Sequence, residues 1–484
     1  MSQIIGLDVG TNSAKALMLA GDKIVAQHNI DFAPDCLGGG FVEQDPTVWW
    51  EAAREAIKAV TATCPGKVTA LATAGQMHSS VFLDSAGQVV RPAILWNDTR
   101  TTEQTKVITE LAGGEAALLR MIQNRALEGF TLPKILWLKE HEPQHFAQVT
   151  KVVMPKDYIN YKLTGRVATD ISDAAGTICF DVAKKRWNAE LMGKMGLCAD
   201  ILPEVLESVD AVGTVLPELA AELGLSPETL VITGGADNSC AAIGNGVVAP
   251  GQTVISIGTS GTVVTMLDHM PQDITGDVHL FNYSCPGSFY AMGCMLCAGE
   301  SLNWLRSIVG VDDFDTFNEL ARQSAPGAGG VVFLPYLFGE RCPVNNPAAC
   351  GMFFGLRATT TKADMVRAVM EGVAFNIKAM FELVAPLAEI SDIYITGGGA
   401  KSGIWGQIIA DILGRSIAVL NIEQGPAFGA ALIAGIGAGV FGSFEEAKEK
   451  FLTTTKTIIP EAHEAYPRQF ELFKQLYEAN RALF

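Results

Sequence analysis

The stretch Gly6-Leu7-Asp8-Val9-Gly10-Thr11-Asn12-Ser13-Ala14-Lys15-Ala16-Leu17-Met18-Leu19 has a counterpart about half a chain later. That counterpart is Val254-Ile255-Ser256-Ile257-Gly258-Thr259-Ser260-Gly261-Thr262-Val263-Val264-Thr265-Met266-Leu267. The two align without a gap. Leu7-Asp8-Val9-Gly10-Thr11 falls on Ile255-Ser256-Ile257-Gly258-Thr259, and Met18-Leu19 falls on Met266-Leu267. Each copy runs as an apolar segment into a Gly-Thr turn and out again as a second apolar segment, the signature of a buried strand hairpin. Gly21-Asp22 turns the first copy into a third run, Lys23 to His28, so a β-meander opens the chain. A match near the midpoint of 484 residues predicts a duplicated domain: residues 1–248 form one copy and 249–484 the other, meeting near Ala249-Pro250-Gly251.

Between these hairpins the periodicity changes. Trp49, Ala52, Ala53, Ala56, Ile57 and Val60 fall on one helical face and predict a helix over 46–63, with Asp45 as its cap and Pro46 in its first turn. Val68 to Ala74 reads as a strand ending at Gly75, and 131–141 and 155–163 as helices. Val231-Ile232-Thr233-Gly234-Gly235-Ala236-Asp237 and Tyr394-Ile395-Thr396-Gly397-Gly398-Gly399-Ala400 form a second pair, each a strand delivering the chain onto a glycine turn before a helix. Strands alternating with helices predict an α/β protein.

Gln424 to Phe444 carries no charge and approaches membrane-spanning length. Its glycines and Pro426 instead predict a short buried helix ending in glycine-rich turns. Residues 462–484, with Tyr466, Phe470, Phe473 and Tyr477, read as a packing helix.

Hydrophobic residues make up 49% and charged residues 18%, with 52 acids against 35 bases and a net charge of −17. That hydrophobicity excludes disorder for most of the chain. The acid excess excludes a general affinity for nucleic acid, which needs Lys and Arg at the phosphates, and for anionic membranes. The N-terminus lacks the basic and apolar regions of a signal peptide. The ten cysteines read as reduced thiols, so a cytoplasmic location is expected. Cys294 and Cys297 form the one C-x-x-C. His279 is isolated from them and no second ligand pair is near, so they are expected to pack at the start of a buried helix.

Five motifs can carry chemistry. Asp8-Val9-Gly10-Thr11-Asn12-Ser13 places amides and hydroxyls in a turn that suits an anion, with Asp8 able to hold a hydrated Mg²⁺ or simply to cap the turn. Gly258-Thr259-Ser260-Gly261-Thr262 repeats that turn with Ser256 in place of the acid; facing one another, the two would clamp a polyphosphate. Gly234-Gly235-Ala236-Asp237-Asn238-Ser239 delivers a carboxylate onto a helix start, as a base for a hydroxyl or as an N-cap. Gly397-Gly398-Gly399-Ala400-Lys401-Ser402 lets a flat ring approach the backbone, or is a plain strand-to-helix turn. Gly75-Gln76-Met77-His78-Ser79 and Trp96-Asn97-Asp98-Thr99-Arg100 gather the mixed donors and acceptors that a polyol needs.

Together these segments resemble the FGGY carbohydrate kinases, which share the actin-like ATPase fold with hexokinase and the Hsp70 chaperones. Gly129-Phe130-Thr131-Leu132-Pro133-Lys134-Ile135-Leu136-Trp137-Leu138-Lys139-Glu140-His141 is similar to the family's N-terminal signature. Gly351-Met352-Phe353-Phe354-Gly355-Leu356 followed by Asp364-Met365-Val366-Arg367-Ala368-Val369-Met370-Glu371 is similar to its C-terminal one. Gly75-Gln76-Met77-His78, Leu95 to Arg100, Pro155-Lys156-Asp157-Tyr158, Asp170 to Thr177 and Gly339-Glu340-Arg341 most resemble the xylulokinase branch.

The resemblance implies two actin-like, ribonuclease H-like domains with a cleft between them. The first would carry the sugar site and first phosphate loop, the second the nucleotide site. It implies ATP-dependent phosphorylation of D-xylulose, with D-ribulose or D-gluconate as alternative substrates and a non-kinase actin-like ATPase as the competing class. Asp237 falls on the catalytic base and Asp8 on the Mg²⁺-linked acid, so both are expected at the metal. Gln76, Met77, His78, Trp96, Asn97, Asp98, Asp237 and Asn238 are the expected sugar contacts. Thr11, Asn12, Ser13, Gly258, Thr259, Gly299, Asn303, Gly398 and Gly399 are the expected ATP contacts. The partners implied are the sugar and ATP, with no nucleic acid and no membrane; a homodimer is compatible. The chain departs from the family pattern at Ala236, where Gly is usual, at Cys342, where Thr is usual, and at Ser79, where xylulokinases commonly carry Gly and gluconate kinases Ser.

Overall fold

A computed structural model describes residues 2–422 and 424–484. The opening hairpin pairs β1 (Gln3–Val9) with β2 (Ser13–Ala20), from Gln3 opposite Ala20 to Val9 opposite Ala14, and β3 (Lys23–Asp31) extends it. The chain returns through α1 (Pro46–Thr63), whose start is fixed by the Asp45 carboxylate accepting from the Thr47 amide at 2.9 Å. Its tryptophan and alanine face packs on β2 and β3. The next strand, β4 (Val68–Gly75), lies parallel to β1.

Two helices that bear on the site follow, α2 (Thr131–His141) and α3 (Pro155–Thr164). Then come β5 (Ala211–Thr214), β6 (Leu230–Ala236) and α4 (Asp237–Gly244). The first sheet has the order β5-β6-β4-β1-β2-β3.

The second half repeats the plan. Its hairpin joins β7 (Thr253–Ile257) to β8 (Gly261–Leu267), followed by β9 (His279–Asn282), β10 (Phe289–Met295) and α5 (Gly299–Val309). The long α6 (Lys362–Val384) leads to β11 (Ile393–Thr396), α7 (Gly403–Leu413), β12 (Ile417–Leu420), α8 (Pro426–Gly437), β13 (Thr454–Ile458) and α9 (Ala465–Asn480). This sheet runs β9-β10-β8-β7-β11-β12-β13.

In both sheets a hairpin is flanked by two parallel strands and then an antiparallel edge: β4, β6 and β5 beside β1, and β11, β12 and β13 beside β7. This is the α/β fold of two related actin-like, ribonuclease H-like units. The topology separates one pair of segments that the sequence suggests are alike. β11 adjoins its hairpin as β4 does, whereas β6 lies one strand further out and matches β12. Residues 231–237 and 394–400 share local chemistry but not position.

The uncharged segment after Gln424 forms the short helix α8, which packs against β1, β4 and α4. A Cβ on Gly6 would lie 1.8 Å from the Ala427 carbonyl oxygen, and one on Gly429 would lie 1.8 Å from that of Cys240. These glycines let α8, from the second half, lie directly on the first half's sheet and on the helix that follows Asp237. Among the described residues no helix is long and apolar enough to cross a membrane. Tyr466, Phe470, Phe473 and Tyr477 are buried along α9, as the aromatic spacing predicts. The C-x-x-C expectation needs correction: Cys294 lies within β10 and Cys297 in the connection to α5, so the pair spans a strand end rather than opening a helix.

Candidate active site

The two Gly-Thr turns and the strand ends beside them assemble two regions. The first is a cavity of about 520 Å³ in the second unit. It is lined by Gly258 and Thr259 from the β7–β8 turn, Gly299 and Asn303 from α5, and Gly398 and Gly399 after β11, the six contacts expected there. The volume lies within the usual range for a small-molecule site. Ile257, Leu302, Phe314 and Trp405 supply apolar walls, while Asn318 and Ser402 supply polar edges. Phe314, Asn318 and Trp405 were not legible as site residues, because aromatic and amide side chains at helical spacing read as packing or surface.

The second region lies at the ends of β1, β4 and β6. The Thr11 hydroxyl accepts from the Trp96 indole at 2.9 Å. Gln76 donates from its amide to the Gly10 carbonyl at 3.1 Å and accepts from Ser79 Oγ at 3.0 Å. Ser79 Oγ in turn accepts from the Trp96 amide at 3.1 Å. Gln76 is buried and its amide serves this network, so it braces the turn rather than facing a sugar. Asp98 needs the same correction. It is fully buried, pairs with Arg100 at 2.7 Å and accepts from the Val42 amide at 2.6 Å, which makes it a structural carboxylate. Asn97 is exposed, and Trp96 is half-buried beside Thr11. Asn12 and Ser13 complete the first turn, the Gly10 amide donating to the Ser13 carbonyl at 2.9 Å.

Met77 and His78 end the β4 turn. The Met77 sulfur lies 3.6 Å from Asn238 Nδ2 and 3.7 Å from the Tyr290 hydroxyl. The His78 imidazole bonds through Nδ1 to the Gly176 carbonyl at 2.5 Å. Burial holds the ring neutral, well below the usual histidine range. A neutral ring that donates from Nδ1 leaves Nε2 as an acceptor. Phe130 and Phe281 pack against it, with centroids at 4.6 and 6.1 Å. Phe281 and Tyr290 sit on strands of the second unit, where sequence reads them only as core.

Asp237 is the first residue of α4, one beyond the Ala236 N-cap position. It therefore does not cap the helix in the way the sequence allowed. Its Oδ1 accepts from the Asn238 amide at 2.7 Å and from the Asn238 side chain at 2.9 Å. Burial pushes its pKa up to about 6, against the lowering pull of those bonds. Ala236 has ordinary extended dihedrals, so a side chain is tolerated where glycine is usual. The Ala236 amide donates to Ser172 Oγ at 2.9 Å, and Ser172 donates to Asp170 at 2.5 Å. Lys156, fully buried, lies 2.5 Å from Asp157 and 3.0 Å from Asp170. This charged cluster stands directly behind the Asp237 turn.

Asp8, one residue before the end of β1, lies opposite Lys15 of β2. Its Oδ1 is buried without a hydrogen-bond partner. Burial pushes the Asp8 carboxyl up to about 8, the nearby Asp237 adds to the rise, and Lys15 opposes it. An orphaned carboxylate oxygen beside a second acid is what a divalent cation would satisfy. No cluster of three or more His, Cys, Asp or Glu able to hold a metal occurs among the described residues. The orphaned Asp8 oxygen with Asp237 beside it fits the expectation that these two acids would hold Mg²⁺, an ion that needs only one or two protein carboxylates.

Models of the FGGY family of carbohydrate kinases match both halves, the N-terminal domain over residues 3–244 and the C-terminal domain over residues 253–438. The xylulose kinase of Staphylococcus xylosus is 39% identical over 99% of this chain and 100% of its own length. That of Bacillus subtilis is 38% identical over 100% of this chain and 98% of its own length. The crystal structure of a xyloylose kinase from Brucella ovis superposes with a TM-score of 0.94 at 34% identity, covering 100% of each chain. With both signatures, both domain models and full-length relatives in agreement, the chain belongs to the FGGY family of carbohydrate kinases.

Proposed function

We propose that the chain transfers the terminal phosphoryl group of ATP to the terminal hydroxyl of D-xylulose, giving D-xylulose 5-phosphate. The observation that carries this is the placement of Asp237. Its neighbour Asn238 lies 3.6 Å from the Met77 sulfur of the sugar turn. Asp8, at the first phosphate turn, is pushed up by burial first and by the nearby Asp237 second. The full-length relatives named for xylulose point to the same substrate. Residues 1–248 would bear the sugar site and first phosphate turn, and 249–484 most of the nucleotide cavity.

In this scheme the adenine half of ATP occupies the cavity between Gly398-Gly399 and α5, and the Gly10-Thr11 and Gly258-Thr259 turns present amides and hydroxyls to its phosphates. Met77, His78, Trp96 and Asn238 orient the sugar. Asp237, with a pKa near 6, accepts the proton of the attacking hydroxyl. Mg²⁺ on the phosphates, met by Asp8 through water, would supply charge neutralisation. Phosphoryl transfer asks chiefly for positioning and charge neutralisation, and the two units closing on the cleft would exclude water as a competing acceptor.

Ser79 does not favour gluconate as the substrate, because its hydroxyl is spent on Gln76 and the Trp96 amide. The test is ADP release in the presence of D-xylulose, D-ribulose, L-xylulose, D-gluconate or glycerol. The highest kcat/KM is expected with D-xylulose. ADP release at the same rate with no sugar would favour an actin-like ATPase instead.

A further inference from the structure

Lys134 of α2 is fully buried, and among the described residues its hydrogen bonds run to main-chain carbonyls rather than to a carboxylate. Nζ donates to the His78 carbonyl at 2.9 Å and to the Gly129 carbonyl at 2.5 Å. The Thr131 hydroxyl donates to the same His78 carbonyl at 3.0 Å. A buried lysine without a close counter-ion is costly, so its donors need a use that offsets the cost.

That use lies at His78, whose backbone is left-handed (φ 69°). Positive φ is uncommon and carries a backbone cost even for histidine, so contacts that hold it there are stabilising. Four bonds do so: the Ser79 amide donating to the Met77 carbonyl at 2.8 Å, which closes the turn around His78, then Lys134 and Thr131 on the His78 carbonyl, and the Gly176 carbonyl on the ring. The second carbonyl held by Lys134 belongs to Gly129, which packs so tightly that a Cβ there would lie 2.8 Å from the Trp96 carbonyl oxygen. One ammonium or amine therefore ties the His78 turn to the wall that carries Phe130 and backs Trp96.

We infer that Lys134 is a positioning residue for the sugar. It fixes the left-handed His78 backbone, and through it the imidazole Nε2 acceptor, against the Gly129–Phe130 wall. It touches neither sugar nor nucleotide. A lysine reaches both carbonyls because its unbranched stem crosses the buried space between them and ends in up to three donors.

Resting on the sugar-kinase function above, the inference is tested by Lys134→Met, which keeps the stem's bulk and removes the donors. The sugar KM is expected to rise about tenfold, the size of one or two lost hydrogen bonds, while the ATP KM stays within twofold. A residue that only stabilises the core would lower the melting temperature and leave the sugar KM unchanged, and that result overturns the inference.

Thr131→Val removes the other bond to the same carbonyl and decides the matter if Lys134→Met does not fold. It is expected to raise the sugar KM about threefold, and no rise overturns the inference. A second readout needs no turnover. In ¹⁵N-histidine NMR, with His78→Asn as the assignment control, the wild-type ring should show the Nδ1–H tautomer alone. In either variant a mixture of tautomers is expected, and an unchanged His78 signal counts against the inference. If the wild type phosphorylates no sugar, the kinase function fails, while the NMR comparison still judges Lys134.

Discussion

The Trp96 indole donates to the Thr11 hydroxyl at 2.9 Å, so the proposed sugar region and the proposed first phosphate turn share one hydrogen bond. Gln76 and Ser79 close the loop by bonding to Gly10 and to the Trp96 amide. Trp96→Phe keeps an aromatic face and removes the donor. Because the bond joins Trp96, proposed for the sugar, to Thr11, proposed for the phosphates, the KM for sugar and the KM for ATP should both rise, each about threefold to tenfold. Steady-state kinetics with each substrate varied in turn checks this, and a rise in one alone would show that the bond does not couple the two regions.

The two acids of the site set the pH behaviour. With Asp237 raised to about 6, its base form grows as pH rises, so kcat/KM should climb through about pH 6 and go on rising toward about pH 8 as Asp8 ionises. Asp8 has the consequence for stability. Its folded pKa of about 8 exceeds the unfolded value of 3.8, so between these values the folded chain holds a proton that the unfolded chain has released. Stability is then lost as pH rises through that window. Asp8→Asn removes the charge and should raise the melting temperature by a few degrees at pH 8, with little change at pH 4, while turnover falls. Thermal scans across pH show whether the gain appears at the alkaline end.

Two glycines of the nucleotide cavity separate packing from binding. A Cβ on Gly299 would lie 2.5 Å from the Gly258 carbonyl oxygen, whereas one on Gly398 has nothing within 4 Å. Gly299→Ala should force the β7–β8 turn away from α5, lowering the melting temperature and raising the ATP KM about tenfold or more. Gly398→Ala should leave the melting temperature alone and raise only the ATP KM, because its methyl group fills space that a nucleotide would use. A sugar KM that moved with either would place that glycine outside the nucleotide site.

The brace behind Asp237 concerns stability. Lys156 is fully buried and is the cation shared by Asp157, Asp170 and Asp173. Lys156→Met leaves those acids unneutralised and should cost about 3–5 kcal/mol, measured by denaturant unfolding. A loss below about 1 kcal/mol would mean that the acids are accommodated by protonation alone.

The duplicated hairpin made the fold legible, because Val9 and Ile257 end equivalent strands and Ser13 and Gly261 begin their partners. That the six residues expected at ATP in the second unit line one cavity was legible too, since glycine turns announce close approach. Gln76 and Asp98 were assigned to the sugar by residue type, but only packing decides whether a polar side chain faces a ligand or is spent on a neighbouring amide or guanidinium. Phe130, Phe281, Tyr290 and Lys134 escaped notice as site residues for the converse reason. They come from distant segments, and an apolar strand or a buried helix carries no local mark of the turn it packs against.

The proposed function rests on Asp237 as the base for a pentulose hydroxyl. It is tested most directly by D-xylulose-dependent ADP release from wild type and Asp237→Asn, with calorimetric binding of sugar and ATP measured on the same samples. The expected result is a sugar-dependent wild-type rate that falls by about 10²–10⁴-fold in Asp237→Asn, with both ligands still bound. Turnover of Asp237→Asn near the wild-type rate would contradict it.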